Sequence, residues 1–460
     1  MNARDALLCA GPLLALALGM AASAAGHPPP FAITVGLTGW VALWWLFEPI
    51  PAPHTALLPL ALLPLVGVLD AKGVAEAYGN EVILLLGGGF MLSAAIERNG
   101  AHRRLALWML RLTGGQNGRH VLWGFVLASG LLSMWISNTA TTLLLIPVAL
   151  AILKDYPDPR LAAPLVLGIA YAASFGGLGT PIGTPPNLIF RSVYEQTTGV
   201  EISFVDWFVY GLPIVVITLP VLALWLGRGL RGLPAATLPA LPPIDAGERR
   251  VLAVFGIVAL AWIFRTDPWG GWKTWLGLPG GSDASVALLG ALAMGLVPDG
   301  KGGRLLDWET AERIPWGTLV LFGGGIALAS AFGSSGVSAW VAERLVLLRD
   351  LPLPLMLFGL CLGVTLLSEI ASNTAAAALL MPILAAAAAA ANVDPLLFML
   401  PAALAASLGF MLPVATAPNA IAYGTGMADN RRMLREGWFL DLVGVAAVVG
   451  VVWGVFVWKQ

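Results

Sequence analysis

The sequence predicts an all-α polytopic membrane protein of two inverted repeats, with about 11 transmembrane helices and two re-entrant helical hairpins. Three observations carry this. Of 460 residues, 58% are hydrophobic and 11% charged, against about 25% charged in a soluble domain, and mean hydropathy is +0.83. A polar triplet occurs twice inside apolar sequence, at Ser137-Asn138-Thr139 and Ser372-Asn373-Thr374, in the matching contexts WISNTATTLLLIP and IASNTAAAALLMP. The motifs on either side of each triplet recur in the same order.

Apolar stretches fall near 6–24, 31–48, 53–69, 81–97, 121–153, 162–190, 207–227, 250–264, 284–297, 316–331, 354–391, 396–424 and 437–458. The first ends in Ala22-Ser23-Ala24-Ala25-Gly26, which resembles a signal-peptide cleavage site. Only Arg4 supplies a basic flank, and the next apolar stretch follows within a few residues, so this segment is read as a retained helix. Stretches 121–153 and 354–391 are too long for one crossing, and each is interrupted by its triplet. A helix that enters the membrane, turns and leaves on the same side fits both. Non-helical backbone at that depth is tolerated only where it is buried in protein or lines a cavity.

Orientation follows from basic residues. With both hairpins re-entrant and the N-terminus cytoplasmic, 18 of 25 lysines and arginines fall inside, as the positive-inside rule asks. They include Arg98, Arg103 and Arg104, Arg228 and Arg231, Arg304 and Arg313, and Arg431, Arg432 and Arg435. The C-terminus is then external. Segment 229–249, with four prolines between Gly232 and Asp245, reads as a cytoplasmic linker between halves. Trp269, Trp272 and Trp275 read as an outer interface loop, and 98–119 and 331–350 as amphipathic helices along the membrane surface.

Composition also excludes. A net charge of −1 gives no basic face for nucleic acid, and Cys9 and Cys361 form neither a disulfide framework nor a metal site. The histidines His27, His54, His102 and His120 lack ligand spacing. An intramembrane hydrolase would need a base beside Ser137 or Ser372, and no histidine or lysine is placed there. The chain is not read as an enzyme. An ion channel is the other class to separate, by turnover that does not saturate at low rates.

Three motifs repeat. Gly87-Gly88-Gly89 matches Gly323-Gly324-Gly325, the triplets follow, and GTPIGTPPNLI with Thr184 and Asn187 matches LPVATAPNAIAYGTG with Thr416 and Asn419. The offsets are 236, 235 and 232 residues. With the hairpins placed as above, one copy opens from the cytoplasm and the other from outside, so the repeats are inverted. Secondary transporters use this arrangement, with sites near the midplane at broken helices. The glycine triplets read as close-packing surfaces.

Each polar triplet offers two hydroxyls and a carboxamide, and a hairpin turn adds free N–H groups that favour anions. Pro185 and Pro186, and Pro418 with its neighbours, must break their helices. The freed carbonyls suit a hard cation such as sodium. No lysine or arginine lies within ten residues of either triplet, so a bound dianion would take its compensating charge from co-bound cations. Glu369, beside the second triplet, reads as structural or tuning, and Glu48 in WWLFEPIP as a helix end.

From Trp44 to about Gly426 these residues resemble the divalent anion:sodium symporter family, whose members carry dicarboxylates, citrate or sulfate. The resemblance implies a homodimer in which each protomer has a scaffold and a transport domain that works as an elevator. The scaffold would take 1–113 and 250–350, the transport domain 114–228 and 351–460. The implied substrate contacts are Ser137, Asn138, Thr139 and Thr184 on one side, and Ser372, Asn373, Thr374 and Thr416 on the other. One sodium would sit on Ser133, Ser137, Asn138 and the Gly183 carbonyl, the second on Ser368, Ala371, Asn373 and the Ala415 carbonyl. Family exchangers are expected to carry a basic side chain where sodium sits, and none is found here. Ala417 stands where the first repeat has Pro185, which puts the geometry of the second break in question. The expectation is an inner-membrane, sodium-coupled carrier of a C4 dicarboxylate, with exchange, citrate and sulfate as alternatives within the fold.

Overall fold

The computed structural model describes residues 3–113, 117–235, 241, 243–266, 270–345, 352–391 and 393–459. Helix dominates, and no strand occurs among these residues. Trp269, part of the linker and the end of segment 331–350 lie outside the described residues.

The chain opens with α1 (Ala3–Ala24) and α2 (Pro29–Phe47), which pack lengthwise. Trp44 Nε1 donates to the Leu7 carbonyl (3.1 Å) and Arg4 Nε to that of Pro49 (2.7 Å). α2 ends at Glu48, the one non-glycine residue with positive φ (42°) among the described residues. The following proline bars a further helical turn. Next come α3 (Ala52–Thr55), α4 (Leu57–Leu65), α5 (Ala71–Tyr78), α6 (Glu81–Arg98) and α7 (Ala101–Thr113). Asp70 and Asn80 cap α5 and α6, accepting from Gly73 N (2.7 Å) and Val82 N (2.9 Å).

The first long stretch is two helices, α8 (Gly118–Ser133) and α9 (Asn138–Lys154), between which the chain reverses in four residues. α10 (Ala162–Gly177) and α11 (Pro185–Thr198) are separated by the unwound segment 178–184, and α12 (Phe204–Leu226) closes this half. Adjacent prolines at the start of α11 fit the break, since they lack the N–H donors that would continue α10 and are best accommodated in a helix's first turn.

The second half begins with α13 (Ala246–Ile263), α14 (Gly271–Trp275), α15 (Asp283–Leu296), α16 (Trp308–Ala311), α17 (Trp316–Ser335) and α18 (Val337–Leu345). Then α19 (Leu353–Ser368) and α20 (Asn373–Ala391) reverse through 369–372. α21 (Leu396–Ala405) and α22 (Ala417–Gly424) flank a second unwound segment, 406–416, wider than the sequence suggests, and α23 (Asn430–Lys459) ends the chain. Seven helical stretches among the described residues are long and apolar enough to cross a bilayer, and six shorter apolar ones include three of the four hairpin arms, α9, α19 and α20.

Packing exchanges parts between halves. α22 lies against α9 and α10, while α11 lies against α20 and α21. The same polar bonds recur in each half. Ser129 Oγ donates to the Ile169 carbonyl (2.7 Å), and Thr365 Oγ1, 236 residues on, to that of Ala405 (3.3 Å). α8 and α10 cross backbone to backbone at Gly130 and Gly176, where a Cβ on Gly176 would lie 2.6 Å from Gly130 Cα. The glycine triplets serve packing. A Cβ on Gly88 would lie 2.7 Å from the Ala287 methyl of α15, and one on Gly325 2.9 Å from that of Ala378 on α20. α12 is braced by α23, with Trp225 stacked on Phe439 at 3.8 Å between centroids.

One buried charge cluster joins three segments. Arg191 of α11 places Nη2 2.9 Å from Asp283 Oδ2, at the start of α15. Arg265, just past α13, places Nε 2.8 Å from Asp283 Oδ1 and Nη2 2.5 Å from Glu201 Oε1. The Nε contact is off the hydrogen-bonding direction, so it supplies Coulomb attraction alone.

Candidate functional site

A cavity of about 1350 Å³ opens between the hairpins and the helices that precede them. Both triplets line it, as do Gly183, Thr184, Ala371, Ala415 and Thr416. Residues 235 positions apart thus face one space. Ser133 and Ser368 lie behind it and are fully buried.

Four helices begin at this cavity: α9 after Ser137, α20 after Ser372, α11 after Thr184 and α22 after Thr416. Ser137 Oγ accepts from Ala140 N (3.1 Å) and Thr416 Oγ1 from Asn419 N (3.2 Å). Four helix N-termini aimed at one space make a region of positive potential without a cationic side chain. Hydroxyls from Thr139, Thr374 and Thr184 add donors. This end of the cavity can hold an anion.

Behind each triplet the oxygens converge. Ser133 Oγ donates to Asn138 Oδ1 (2.5 Å) and Ser368 Oγ to Asn373 Oδ1 (2.6 Å). The position a Cβ would take on Gly177 is 2.7 Å from Asn138 Oδ1 and 3.2 Å from the Gly183 carbonyl, so both oxygens border one point. In the second half, the matching position on Gly409 is 3.3 Å from Ala415 Cβ and 3.8 Å from both the Ser368 carbonyl and Glu369 Oε1. Carboxamide, hydroxyl and carbonyl oxygens make a donor set for a hard cation.

The substitution of Ala417 for proline leaves the second break alike. Thr184 has φ −145° and ψ 143°, Thr416 φ −140° and ψ 153°. Pro418, one position later, suffices to stop the helix from extending backward. Glu369 makes structural bonds: its Oε1 and Oε2 accept from Met411 N and Leu412 N, each at 2.9 Å. Asp441 Oδ1 accepts from Phe410 N (3.2 Å), so two carboxylates fasten the segment 410–412. In the first half Thr180 Oγ1 donates to the Met134 carbonyl, joining the hairpin tip to its unwound segment without a charge.

The opposite wall of the cavity is absent from the sequence reading. It is made by Leu46–Glu48, by one face of α6, and by Thr310, Arg313 and Thr318. On α6 the lining residues Leu86, Gly89, Phe90, Ser93 and Glu97 follow helical spacing. Ser93 and Glu97, on the stripe of Gly89, were the available signal. Glu48 is both a helix end and part of this wall. Arg98 and Arg313 also line it, but each is engaged, Arg98 Nη1 with Asp307 Oδ2 (2.6 Å) and Arg313 with Glu309.

Residues 23–459 match the family described as the sodium:sulfate symporter transmembrane region. The chain belongs to this family. Relatives of this chain include a sodium-dependent dicarboxylate transporter of Staphylococcus saprophyticus, 37% identical over 444 residues, covering 91% of this chain and 85% of that one. A sodium-dependent dicarboxylate transporter of Staphylococcus aureus strain USA300 is 37% identical over the same shares. Among solved structures, the YdaH transporter of Alcanivorax borkumensis aligns with a TM-score of 0.62 over 94% of this chain and 99% of that one, at 14% identity. MtrF of Neisseria gonorrhoeae aligns with 0.61 over 92% and 94%, also at 14%. At such identity these two speak for the fold alone.

Proposed function

We propose that this symporter-family protein couples sodium influx to uptake of a C4 dicarboxylate of the succinate, malate or fumarate type. The observation that carries this is the pairing of one anion-favouring cavity end with two oxygen nests behind it. A dianion among helix N-termini keeps a large uncompensated charge, and two co-bound cations supply the remainder. Relatives at 37% identity are named for sodium and dicarboxylates, which supports the same substrate and ion here.

Ser137, Asn138, Thr139 and Thr184 bind one carboxylate, and Ser372, Asn373, Thr374 and Thr416 the other. Sodium occupies Ser133, Ser137, Asn138 and Gly183 O in one half, and Ser368, Ala371, Asn373 and Ala415 O in the second. The hairpins and broken helices move together as the transport domain (114–228 and 351–460) against a scaffold (1–113 and 250–350). The two walls of the cavity divide along this line, which supports the elevator reading. Arg98 and Arg313, assigned to the cytoplasm by charge, line the cavity, which supports reading this conformation as inward-open. The protein works as a homodimer in the inner membrane, N-terminus inside and C-terminus outside.

The test is uptake of radiolabelled succinate into proteoliposomes with and without an inward sodium gradient. Sodium stimulation with competition by malate and fumarate is expected. Uptake indifferent to sodium but driven by internal succinate would make the protein an exchanger and overturn the reading. Sulfate is the second substrate to test, because the family model is described by it. Inhibition by sulfate rather than malate would reassign the anion.

A further inference from the structure

The unwound segments 178–184 and 406–416 have lost their helical ladders, yet their carbonyls must point in fixed directions to serve a cation. In each, one asparagine ties the strip down. Asn187 Nδ2 donates to the Gly177 carbonyl (3.0 Å) and the Thr180 carbonyl (2.8 Å). Asn419 Nδ2 donates to the Gly409 and Leu412 carbonyls, each at 2.9 Å. Both reach ten and seven residues back. A weak backbone bond recurs beside each clamp, Gly183 N to Thr180 O (3.4 Å) and Ala415 N to Leu412 O (3.2 Å).

Both asparagines are fully buried, and neither lines the cavity. In both, Oδ1 has no hydrogen-bond partner. A buried unpaired carbonyl oxygen is costly, and here the cost is carried at equivalent places in both halves. Such a residue is kept for its two donors. Asparagine is the shortest uncharged side chain offering two N–H groups from one nitrogen. Aspartate would set a carboxylate against two carbonyl oxygens, and a serine has one donor only.

The clamped strips border the proposed ion ligands. Gly177, whose carbonyl Asn187 holds, is packed against Asn138 Oδ1 and the Gly183 carbonyl. Gly409, held by Asn419, is packed against Ala415. We infer that Asn187 and Asn419 are positioning residues for the two cation sites, each fixing through its paired donors the loop that presents the Gly183 or Ala415 carbonyl. This rests on the sodium-site assignment proposed above.

The experiment measures sodium half-saturation in two ways on purified, reconstituted protein: sodium-dependent thermal stabilisation, and uptake of radiolabelled succinate against sodium. Asn187→Asp and Asn419→Asp remove the donors at constant size. Each is expected to raise sodium half-saturation at least tenfold in both assays, while succinate half-saturation at saturating sodium stays within twofold. A fall only in maximal rate, with sodium half-saturation unchanged, would mean a merely structural role and overturn the inference. A lowered sodium half-saturation would show that the oxygen faces the ion, and would also overturn the clamp. Should either aspartate variant fail to fold, Asn187→Gln and Asn419→Gln keep two donors one methylene displaced, and a threefold or larger rise is expected of them. Asn138→Ala and Asn373→Ala are the controls. If these retain normal sodium dependence, the site assignment itself fails. If they lose it while the clamp variants do not, only the clamp fails.

Discussion

Replacing Asp283 by asparagine removes one charge and almost no volume. Its carboxylate lies 2.9 Å from Arg191 Nη2 and 2.8 Å from Arg265 Nε, and it is 2% exposed. Arg191 and Arg265 are 5% and 1% exposed, so neither can turn to water when the carboxylate is lost. Breaking a buried pair by removing one partner costs about 3–5 kcal/mol. Here Glu201 remains 2.5 Å from Arg265 and 3.9 Å from Arg191, and at 39% exposure it offsets part of the loss. The expected destabilisation is therefore about 3 kcal/mol, the lower end of that range. The assay is equilibrium unfolding of the purified protein in mixed micelles with increasing SDS, followed by tryptophan fluorescence. Asp283→Leu combined with Arg191→Met should recover at least about half of the loss, since a buried pair replaced by apolar groups is often neutral. A loss below about 1 kcal/mol for Asp283→Asn, a cost typical of a surface pair, would refute the reasoning.

Asn138→Ala and Asn373→Ala should each reduce sodium-stimulated uptake to background, because each removes an oxygen from a proposed ion site and a donor from the proposed anion end. Near wild-type uptake in both would sink the site assignment. Gly176→Ala should push α10 away from α8 at Gly130, costing about 1–3 kcal/mol as overpacking does, read by the same unfolding titration. Glu369→Gln turns one acceptor into a donor facing a backbone N–H and takes the charge from the other bond, so at least one charge-assisted bond's worth is lost, about 1.5–3 kcal/mol. Succinate uptake should fall with it, and unchanged uptake and stability would show that segment 410–412 needs no such fastening.

What was legible in the sequence was what repetition and proline chemistry encode. The hairpins follow from polar triplets in overlong apolar runs, and the breaks from Pro185, Pro186 and Pro418, because each is a local conflict between residue and helix. Every expected ligand side chain reaches the cavity or lies directly behind it. The far wall was less visible: Ser93 and Glu97 share a helical stripe with Gly89, but a stripe names no partner until α6 is placed opposite the hairpins. The role of Glu369 depends on amides 42 and 43 residues away. The charge cluster draws on α11, the end of α13 and the start of α15, three segments that no local pattern connects. Asn187 and Asn419 stood in the repeated motif, yet their function lies in bonds back to carbonyls whose chain has left the helix.

The exchange of half-helices between the two halves bears on how the protein is made. When the first 230 or so residues have left the ribosome, α9 and α10 exist but α22, which packs on them, has not been synthesised. The slot it will fill lies against α10 and α9, and the first residue of α9, Asn138, carries a polar side chain at membrane depth. In the finished fold that side chain accepts from Ser133 Oγ. The later half then inserts into an incomplete partner and contributes the surface on which α11 settles. Insertion of this chain is thus an assembly of two unfinished pieces, and a ribosome that stops midway leaves behind a fragment with no finished site.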